Sequence, residues 1–115
     1  MELVAALAEH YKFRYQFYWQ PTIFQKQFAT NYEQAMTKQQ PAGLETFSKA
    51  VYAIADERLG NADSNGGLHV LSNIFSQVKD PVFIDWCHIG ESGNQRIADE
   101  MADDFISHIQ SSGNR

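Results

Sequence analysis

The spacing of the apolar residues changes from a helical period to a strand period near the start of the chain, and this change constrains the fold most. Five apolar residues first recur every three or four positions: Leu3, Val4, Leu7, Ala8 and Tyr11. This spacing predicts an amphipathic helix over residues 2–11. Four aromatic residues then recur at every second position: Phe13, Tyr15, Phe17 and Trp19. That period predicts a strand, which Pro21 ends, and a helix followed this closely by a strand is half of an α/β unit.

The middle of the chain predicts further helices separated by turns. Residues 22–40 are polar, but aromatic residues spaced four positions apart indicate a turn or two of helix. Residues 44–59 carry apolar side chains at helical spacing and predict a long amphipathic helix with Gly60 as its C-cap. Residues 61–67 have the composition of a loop. The apolar segment 68–75 is either a strand or a helical turn, because periodicity cannot decide between them for so short a run.

The last third of the chain predicts one strand and one helix. The continuous apolar run Val82-Phe83-Ile84 predicts a strand covered on both faces, as in a parallel sheet. Ser92 and Gln95 have the spacing of a capping box, which predicts Ser92 as the N-cap of the last helix. The apolar stripe of that helix consists of Ile97, Met101, Phe105 and Ile109. Together these elements predict a single α/β domain over residues 1–115.

Composition excludes several classes of protein. Apolar residues make up 43% of the 115 residues and aromatic residues 13%, which allows a packed core and argues against disorder. The formal net charge is −5 and no basic run is present, so neither nucleic acid nor an anionic membrane surface is the expected partner. No apolar run has the length of a membrane span. Cys87 is the single cysteine, so neither a disulfide within the chain nor a cysteine-based metal cluster is expected, and no cofactor is predicted.

Asp85 and His88 directly follow the predicted strand Val82-Phe83-Ile84. In open α/β sheets, catalytic and binding sites form at the carboxyl ends of the strands. An ionised Asp85 that accepts the Nδ1 proton of His88 would leave Nε2 free to take a proton from a serine and to return it later. The Asp-x-x-His pair alone is a weak signal, because a surface acid beside a loop-capping histidine has the same spacing. A metal site built on the pair and one distant histidine falls short of a zinc signature, so no metal is predicted.

The residues around this pair resemble the last conserved block of the SGNH/GDSL hydrolases. In that block a strand leads to Asp-x-x-His, followed by a short loop with Gly-Asn and a helix with small and aliphatic residues. Gly93-Asn94 and Ile97-Ala98 stand at the corresponding positions here. Two upstream segments also resemble the family, Tyr18-Trp19-Gln20-Pro21-Thr22 and Leu71-Ser72-Asn73-Ile74-Phe75. The similarity spans most of the chain, but only residues 85–98 are specific.

The resemblance implies a fold, an activity and roles for particular residues. The family has a three-layer α/β/α sandwich with a parallel sheet, similar to flavodoxin-like folds, and its members hydrolyse acyl or acetyl esters with a catalytic serine. By this resemblance Asp85 orients His88, and His88 is the general base and then the general acid. Trp86, between them, is a candidate for lining the substrate pocket, although filling the edge of the sheet explains it equally well.

The other catalytic blocks of the family are missing from the sequence. Neither the Gly-Asp-Ser block nor the glycine and asparagine blocks of the oxyanion hole are present, and Asp63-Ser64 has no apolar strand before it. The chain is therefore expected to be the C-terminal portion of such an esterase, and to be inactive alone because it lacks the nucleophile. The alternative is a non-catalytic interaction or binding module derived from the same fold.

The predicted sheet also has consequences for partners. A few strands taken from a larger parallel sheet leave an apolar edge open, so the chain is expected to self-associate or to pair with a serine-bearing half. An acyl or acetyl ester is the expected substrate of that complemented form. Residues 1–10 contain Glu2 and Glu9 but no basic segment, so no signal peptide is predicted, and the sequence leaves the cellular location open.

Overall fold

The computed structural model describes residues 2–60 and 68–112. In chain order, the elements are helix α1 (Glu2–Tyr11), strand β1 (Phe17–Trp19), a 3-10 turn (Ile23–Gln25), helix α2 (Asn31–Lys38), helix α3 (Leu44–Gly60), strand β2 (Leu68–Val70) and helix α4 (Glu91–Ser112). The described part of the chain is thus a mixed α/β structure in which four helices accompany a two-stranded parallel sheet.

The helices confirm most of what the apolar spacing predicted. Helix α1 has the predicted bounds and ends where Lys12 adopts a left-handed conformation with φ of 58°, which breaks the helical hydrogen-bond pattern. Helix α3 ends at Gly60, where the sequence predicted its end. Helix α2 lies within the polar segment that predicted a turn or two of helix. The predicted loop at residues 61–67 lies outside the described residues.

The two strands pair in parallel with Tyr18 opposite His69. Strand β1 begins at Phe17, so the prediction of a strand from Phe13 was too long at its start. The reason is that β2 offers only three residues for pairing, and a ladder can extend only as far as its partner does. The ambiguous segment 68–75 is a strand over its first three residues and continues as turns.

Two predictions for the last third of the chain were wrong. Val82-Phe83-Ile84 does not form a strand; instead Phe83 makes an isolated antiparallel bridge with Ile89, because the chain folds back on itself immediately after the apolar run. Ser92 is not an N-cap, since α4 already begins at Glu91. The carbonyl oxygen of Gly90 accepts a hydrogen bond from Asn94 at 2.9 Å, and this bond begins the helix before Ser92.

The hydrophobic core lies beneath the segment that contains Asp85 and His88. Its buried members are Ile23, Phe24, Phe75, Val82 and Phe83. The rings of Phe75 and Phe83 meet edge to face with centroids 5.6 Å apart, a favoured aromatic geometry. Partly buried side chains pack around this cluster: Met36, Leu44, Ile74, Val78, Trp86, Ile89 and Ile97. The core therefore supports the chain on both sides of Asp85 and His88.

Several apolar side chains are not covered within the described structure. Along α4, Ile97 packs against the core, whereas three later members of the stripe are exposed: Met101, Phe105 and Ile109. On α3, Phe47 and Ile54 are also exposed. None of the helices in residues 2–60 and 68–112 combines the length and the apolar character that a membrane crossing requires.

Candidate functional site

Asp85 and His88 lie at the tip of a tight loop, residues 82–90, whose two sides are hydrogen-bonded to each other. The amide of Ile84 donates to the carbonyl oxygen of His88 at 2.9 Å, and the amide of Gly90 donates to the carbonyl oxygen of Val82 at 2.8 Å. We call this segment the Asp–His loop. Because its sides are paired, the four residues at the tip are held in a defined backbone conformation.

A buried ion pair holds the first side of the Asp–His loop. Lys26 Nζ lies 2.6 Å from Glu33 Oε2, and both side chains are fully buried. The other carboxylate oxygen, Oε1, accepts hydrogen bonds from the amides of Val82 at 3.0 Å and Phe83 at 3.3 Å. Burial alone would raise the pKa of Glu33, but the bonds from Lys26 and the backbone outweigh it and hold the pKa below its ordinary value. An ionised Glu33 therefore fixes the backbone just before the tip.

The sequence did not identify Glu33 as part of this support, although a signal was present. Thr30 and Glu33 form a reciprocal capping box at the start of α2, in which the Thr30 amide donates to Glu33 Oε2 at 2.8 Å. The Glu33 amide donates to Thr30 Oγ1 at 3.3 Å. A threonine followed three positions later by glutamate is the sequence signature of such a box, and it would have located the residue but not its contacts with residues 82–83.

The tip of the loop is also tied to the end of β1 and to α3. The hydroxyl of Tyr52 donates to the carbonyl oxygen of Gln20 at 2.5 Å, and Gln20 Nε2 donates to the carbonyl oxygen of Cys87 at 2.9 Å. The amide of Ile23 donates to the carbonyl oxygen of Trp86 at 3.0 Å. Burial raises the pKa of Tyr52, which favours the protonated hydroxyl that donates this hydrogen bond.

Asp85 and His88 are in direct contact. Asp85 Oδ2 lies 2.6 Å from His88 Nδ1, while Oδ1 accepts the amides of Cys87 at 2.9 Å and His88 at 2.7 Å. The two backbone hydrogen bonds, and then the bond to the imidazole, hold the pKa of Asp85 well below its usual range. The carboxylate is therefore ionised at neutral pH and accepts the Nδ1 proton, which leaves Nε2 as the hydrogen-bond acceptor of the neutral ring.

A second histidine–aspartate pair shows by contrast what is unusual about His88. His69 Nδ1 lies 2.8 Å from Asp104 Oδ2, and its ring stacks on Tyr18 with centroids 5.0 Å apart. Its other nitrogen, Nε2, is 3.2 Å from Gln16 Nε2, just before β1. Both nitrogens of His69 are therefore engaged, Nδ1 with α4 and Nε2 with the segment that leads into β1. Among the described residues, Nε2 of His88 has no hydrogen-bond partner, and its side chain is 75% exposed.

His88 lines two clefts that meet at the Asp–His loop. The first has a volume of about 420 Å³ and runs along the start of α3, and Trp86 also lines it. The second, of about 390 Å³, lies on the side of α4. Trp86 is half-buried and its ring lies 6.3 Å from that of Phe24, between centroids. Trp86 thus packs against the core and also faces the first cleft. It does not fill the edge of a sheet, because residues 82–84 form no strand.

Cys87 brings a third potential metal ligand to the loop. The donor atoms of Asp85, Cys87 and His88 lie within 4.8 Å of one another, and a carboxylate, a thiolate and an imidazole are donors that zinc accepts. The third ligand here is thus a neighbouring cysteine and not the distant histidine considered from the sequence. Burial and then the charge of Asp85 raise the pKa of Cys87, which favours the thiol over the metal-binding thiolate. A metal ion at this position would also displace the proton between Asp85 and His88.

The described residues do not supply a serine to this pair. Within residues 2–60 and 68–112, no serine hydroxyl is hydrogen-bonded to His88. Ser48 lines the first cleft with it, but the Ser48 hydroxyl is 3.4 Å from that of Thr22. Asp63-Ser64, which the sequence already disfavoured as a nucleophile, lies outside the described residues.

Comparisons with known proteins do not assign the chain to a family. No protein-family model, curated protein or solved structure matches it. The resemblance to the SGNH/GDSL hydrolases therefore rests on the sequence alone, and its specific part is the block at residues 85–98.

Proposed function

We propose that this chain provides the acid–base half of an SGNH-type ester hydrolase, and that the serine half lies upstream or on another polypeptide. The observation that carries the proposal is the 2.6 Å contact between Asp85 Oδ2 and His88 Nδ1. The backbone of the same loop occupies the other oxygen of Asp85, so the carboxylate has one free oxygen and the histidine meets it there. This arrangement presets the tautomer that a general base requires.

The chemistry follows from the two nitrogens of His88. As the serine oxygen attacks the ester carbonyl, Nε2 takes the hydroxyl proton, and the ionised Asp85 stabilises the resulting imidazolium. When the tetrahedral intermediate collapses, Nε2 returns the proton to the departing alcohol and the acyl group remains on the serine. Water, activated by the same nitrogen, then releases the acid.

Two features of the described structure support the idea that this chain is part of a larger three-layer α/β/α sandwich. Strand β1 pairs with β2 on one edge, and no other strand of the described residues occupies its second edge. Large apolar side chains are exposed on all four described helices, including Leu3, Tyr32, Phe47, Ile54, Phe105 and Ile109. A parallel sheet with open edges and uncovered helices is typical of a partial domain, and we expect such a chain to self-associate or to pair with its complement.

Complementation tests the proposal directly. The segment encoded immediately upstream of Met1 should contain a Gly-Asp-Ser block after an apolar strand, and its co-expression with this chain should yield hydrolysis of a small aryl ester. The chain alone should give no hydrolysis above background. In the complemented enzyme, His88→Ala and Asp85→Asn should each lower kcat by about 10³–10⁴-fold. His10→Ala is the matched control, because His10 is an exposed histidine on α1, and it should leave kcat unchanged.

Two outcomes would contradict the proposal. If the pure chain hydrolyses the ester and His88→Ala removes that activity, the nucleophile lies within the chain and the division into halves is wrong. If no upstream segment carries the serine block and the chain folds as a stable monomer, the Asp–His loop belongs to a non-catalytic binding module. That module is the alternative function that the missing nucleophile favours.

A further inference from the structure

We propose that the first cleft beside His88 binds the acyl chain of the ester, and that this chain is linear and longer than acetyl, on the order of six to ten carbon atoms. The inference rests on the proposed function of His88, because the cleft can hold the acyl chain only if the ester carbonyl lies beside that residue. It goes further by selecting one class of substrate among acetyl and longer acyl esters.

The size of the cleft is the first argument. Its volume is about 420 Å³, within the range of roughly 300–1,000 Å³ that small-molecule pockets occupy. An acetyl group has three heavy atoms and would leave most of this space to water. If each methylene takes about as much room as a water molecule, near 30 Å³, the cleft has space for a chain of on the order of ten carbons. Because it is open on one side, a somewhat shorter chain suffices to fill it.

The lining of the cleft is the second argument. The lining includes five apolar residues: Pro21, Leu44, Phe47, Val51 and Trp86. Apart from His88, its polar side chains are engaged within the fold. The buried hydroxyls of Thr22 and Ser48 lie 3.4 Å apart. The Tyr52 hydroxyl donates to the carbonyl oxygen of Gln20, and Gln20 Nε2 donates to the carbonyl oxygen of Cys87. A sugar in this cleft would lose its hydrogen bonds to water without gaining enough partners, whereas an alkyl chain loses nothing.

The second cleft differs in lining and not in size. Its volume is about 390 Å³, close to that of the first, so volume does not separate them. Gln20 lines both clefts, whereas Tyr18 and Asn94 place a hydroxyl and an amide in the wall of the second alone. These groups suit the polar alcohol portion of an ester better than its acyl chain. His88 lines both clefts. An ester whose carbonyl lies beside His88 can therefore place its acyl chain in the first cleft and its alcohol portion in the second.

A homologous series of neutral ligands measures this preference without requiring catalysis. The probes are the linear 1-alkanols from ethanol to 1-octanol, titrated into the 115-residue chain by calorimetry. Burial of each methylene should tighten binding by about two- to fourfold. The dissociation constant should therefore fall steadily from ethanol to 1-octanol, and the Trp86 indole resonance in the proton–nitrogen NMR spectrum should shift on binding.

Matched variants locate the binding site. Val51→Phe narrows the first cleft and should weaken 1-octanol binding at least tenfold, whereas ethanol binding should change little. Met101→Phe introduces the same side chain into the second cleft, where Met101 is part of the wall. It should leave the dissociation constants of 1-octanol and ethanol unchanged. Phe47→Ala provides a second test with little risk to folding, because Phe47 is 67% exposed; it should weaken 1-octanol binding several-fold.

The outcomes separate this inference from the proposed function. His88→Ala should abolish hydrolysis in the complemented enzyme but preserve the dependence of alkanol binding on chain length, since the apolar wall remains. A dissociation constant that does not change with chain length overturns the acyl site while leaving the catalytic proposal standing. Equal effects of Val51→Phe and Met101→Phe overturn it as well. Chain-length dependence in a protein that no serine-bearing segment activates supports the apolar binding site and contradicts the enzyme.

Discussion

Two contacts between a carboxylate and a basic side chain, one beside the Asp–His loop and one at its tip, are equally close but differ in burial. Lys26–Glu33 and Asp85–His88 each have a contact of 2.6 Å. In the Lys26–Glu33 pair both side chains are 0% exposed, and Glu33 also accepts a hydrogen bond from the amide of Val82 on the first side of the loop. The second has exposures of 75% for His88 and 44% for Asp85.

This difference in burial separates the pair that stabilises the Asp–His loop from the pair to which we assign the chemistry. A buried ion pair that loses one partner leaves an uncompensated charge in a medium of low dielectric constant, so it is costly to disturb. An exposed pair contributes little to folding because water screens it, and it stays accessible to another molecule. Glu33 thus holds the first side of the loop, and its removal should cost much stability. The tip carries His88, whose Nε2 is free to contact another molecule.

The largest expected effect comes from breaking the buried pair. Glu33→Ala should lower the free energy of unfolding by about 3–5 kcal/mol, because the ammonium of Lys26 remains buried and the amides of Val82 and Phe83 lose their acceptor. Urea unfolding followed by circular dichroism measures the change. Glu45→Ala is the control: its pair with Lys49 is equally short, but both side chains are 56% exposed, so the loss should be at most about 0.5 kcal/mol. Equal losses in the two variants would contradict the account.

A substitution where α4 packs against the second side of the loop should have a smaller effect on the free energy of unfolding. Gly93 is buried in the first turn of α4, and a Cβ atom there would lie 2.4 Å from Ile89 Cγ2 and 3.3 Å from Phe75 Cζ. Gly93→Ala should therefore destabilise the fold by about 1–3 kcal/mol through overpacking, although alanine is the better helix former. Ser92→Ala, in the same turn but exposed, should change stability by less than about 0.5 kcal/mol, because Ser92 is not the N-cap. A stabilised Gly93→Ala variant would show that the contact between loop and helix is loose.

Acid should reduce the stability that the buried Lys26–Glu33 pair contributes. The pKa of Glu33 is lower in the folded chain than its ordinary value, so its contribution is complete above about pH 5 and is lost as the pH falls through the folded pKa. Glu33→Gln removes this titration. The difference in unfolding free energy between wild type and Glu33→Gln, measured from pH 7 to pH 3, should shrink towards acid. A difference that stays constant would mean that Glu33 is not ionised in the fold.

The sequence predicted the elements that depend on local spacing and missed those that depend on distant contacts. The bounds of α1 follow from apolar periodicity and the end of α3 follows from Gly60, and both are properties of neighbouring residues. The continuous run Val82-Phe83-Ile84 has no period, so it could not distinguish a sheet strand from one side of a loop. Its backbone amides find their acceptor on Glu33, far away in sequence, and no local pattern reveals that bond.

The candidate site was predicted in part for the same reason. The Asp-x-x-His spacing places Asp85 and His88 close together in any tight loop, so their contact follows from local geometry. The first cleft does not, because α3 contributes Phe47 and Val51 while the loop contributes Trp86. Only tertiary packing brings those elements together. The nucleophile that would complete the proposed chemistry is a further distant element, and the described residues do not contain it at His88.

The tautomer of His88 tests the central claim most directly. In a chain labelled with nitrogen-15, long-range proton–nitrogen correlations at about pH 8, where imidazole is neutral, report which ring nitrogen carries the proton. We predict that Nδ1 of His88 is protonated and Nε2 is bare, and that Asp85→Asn moves the ring towards a mixture of the two tautomers. A proton on Nε2 in the wild type, or a tautomer that does not change with Asp85→Asn, would contradict the claim that Asp85 sets His88 as a general base.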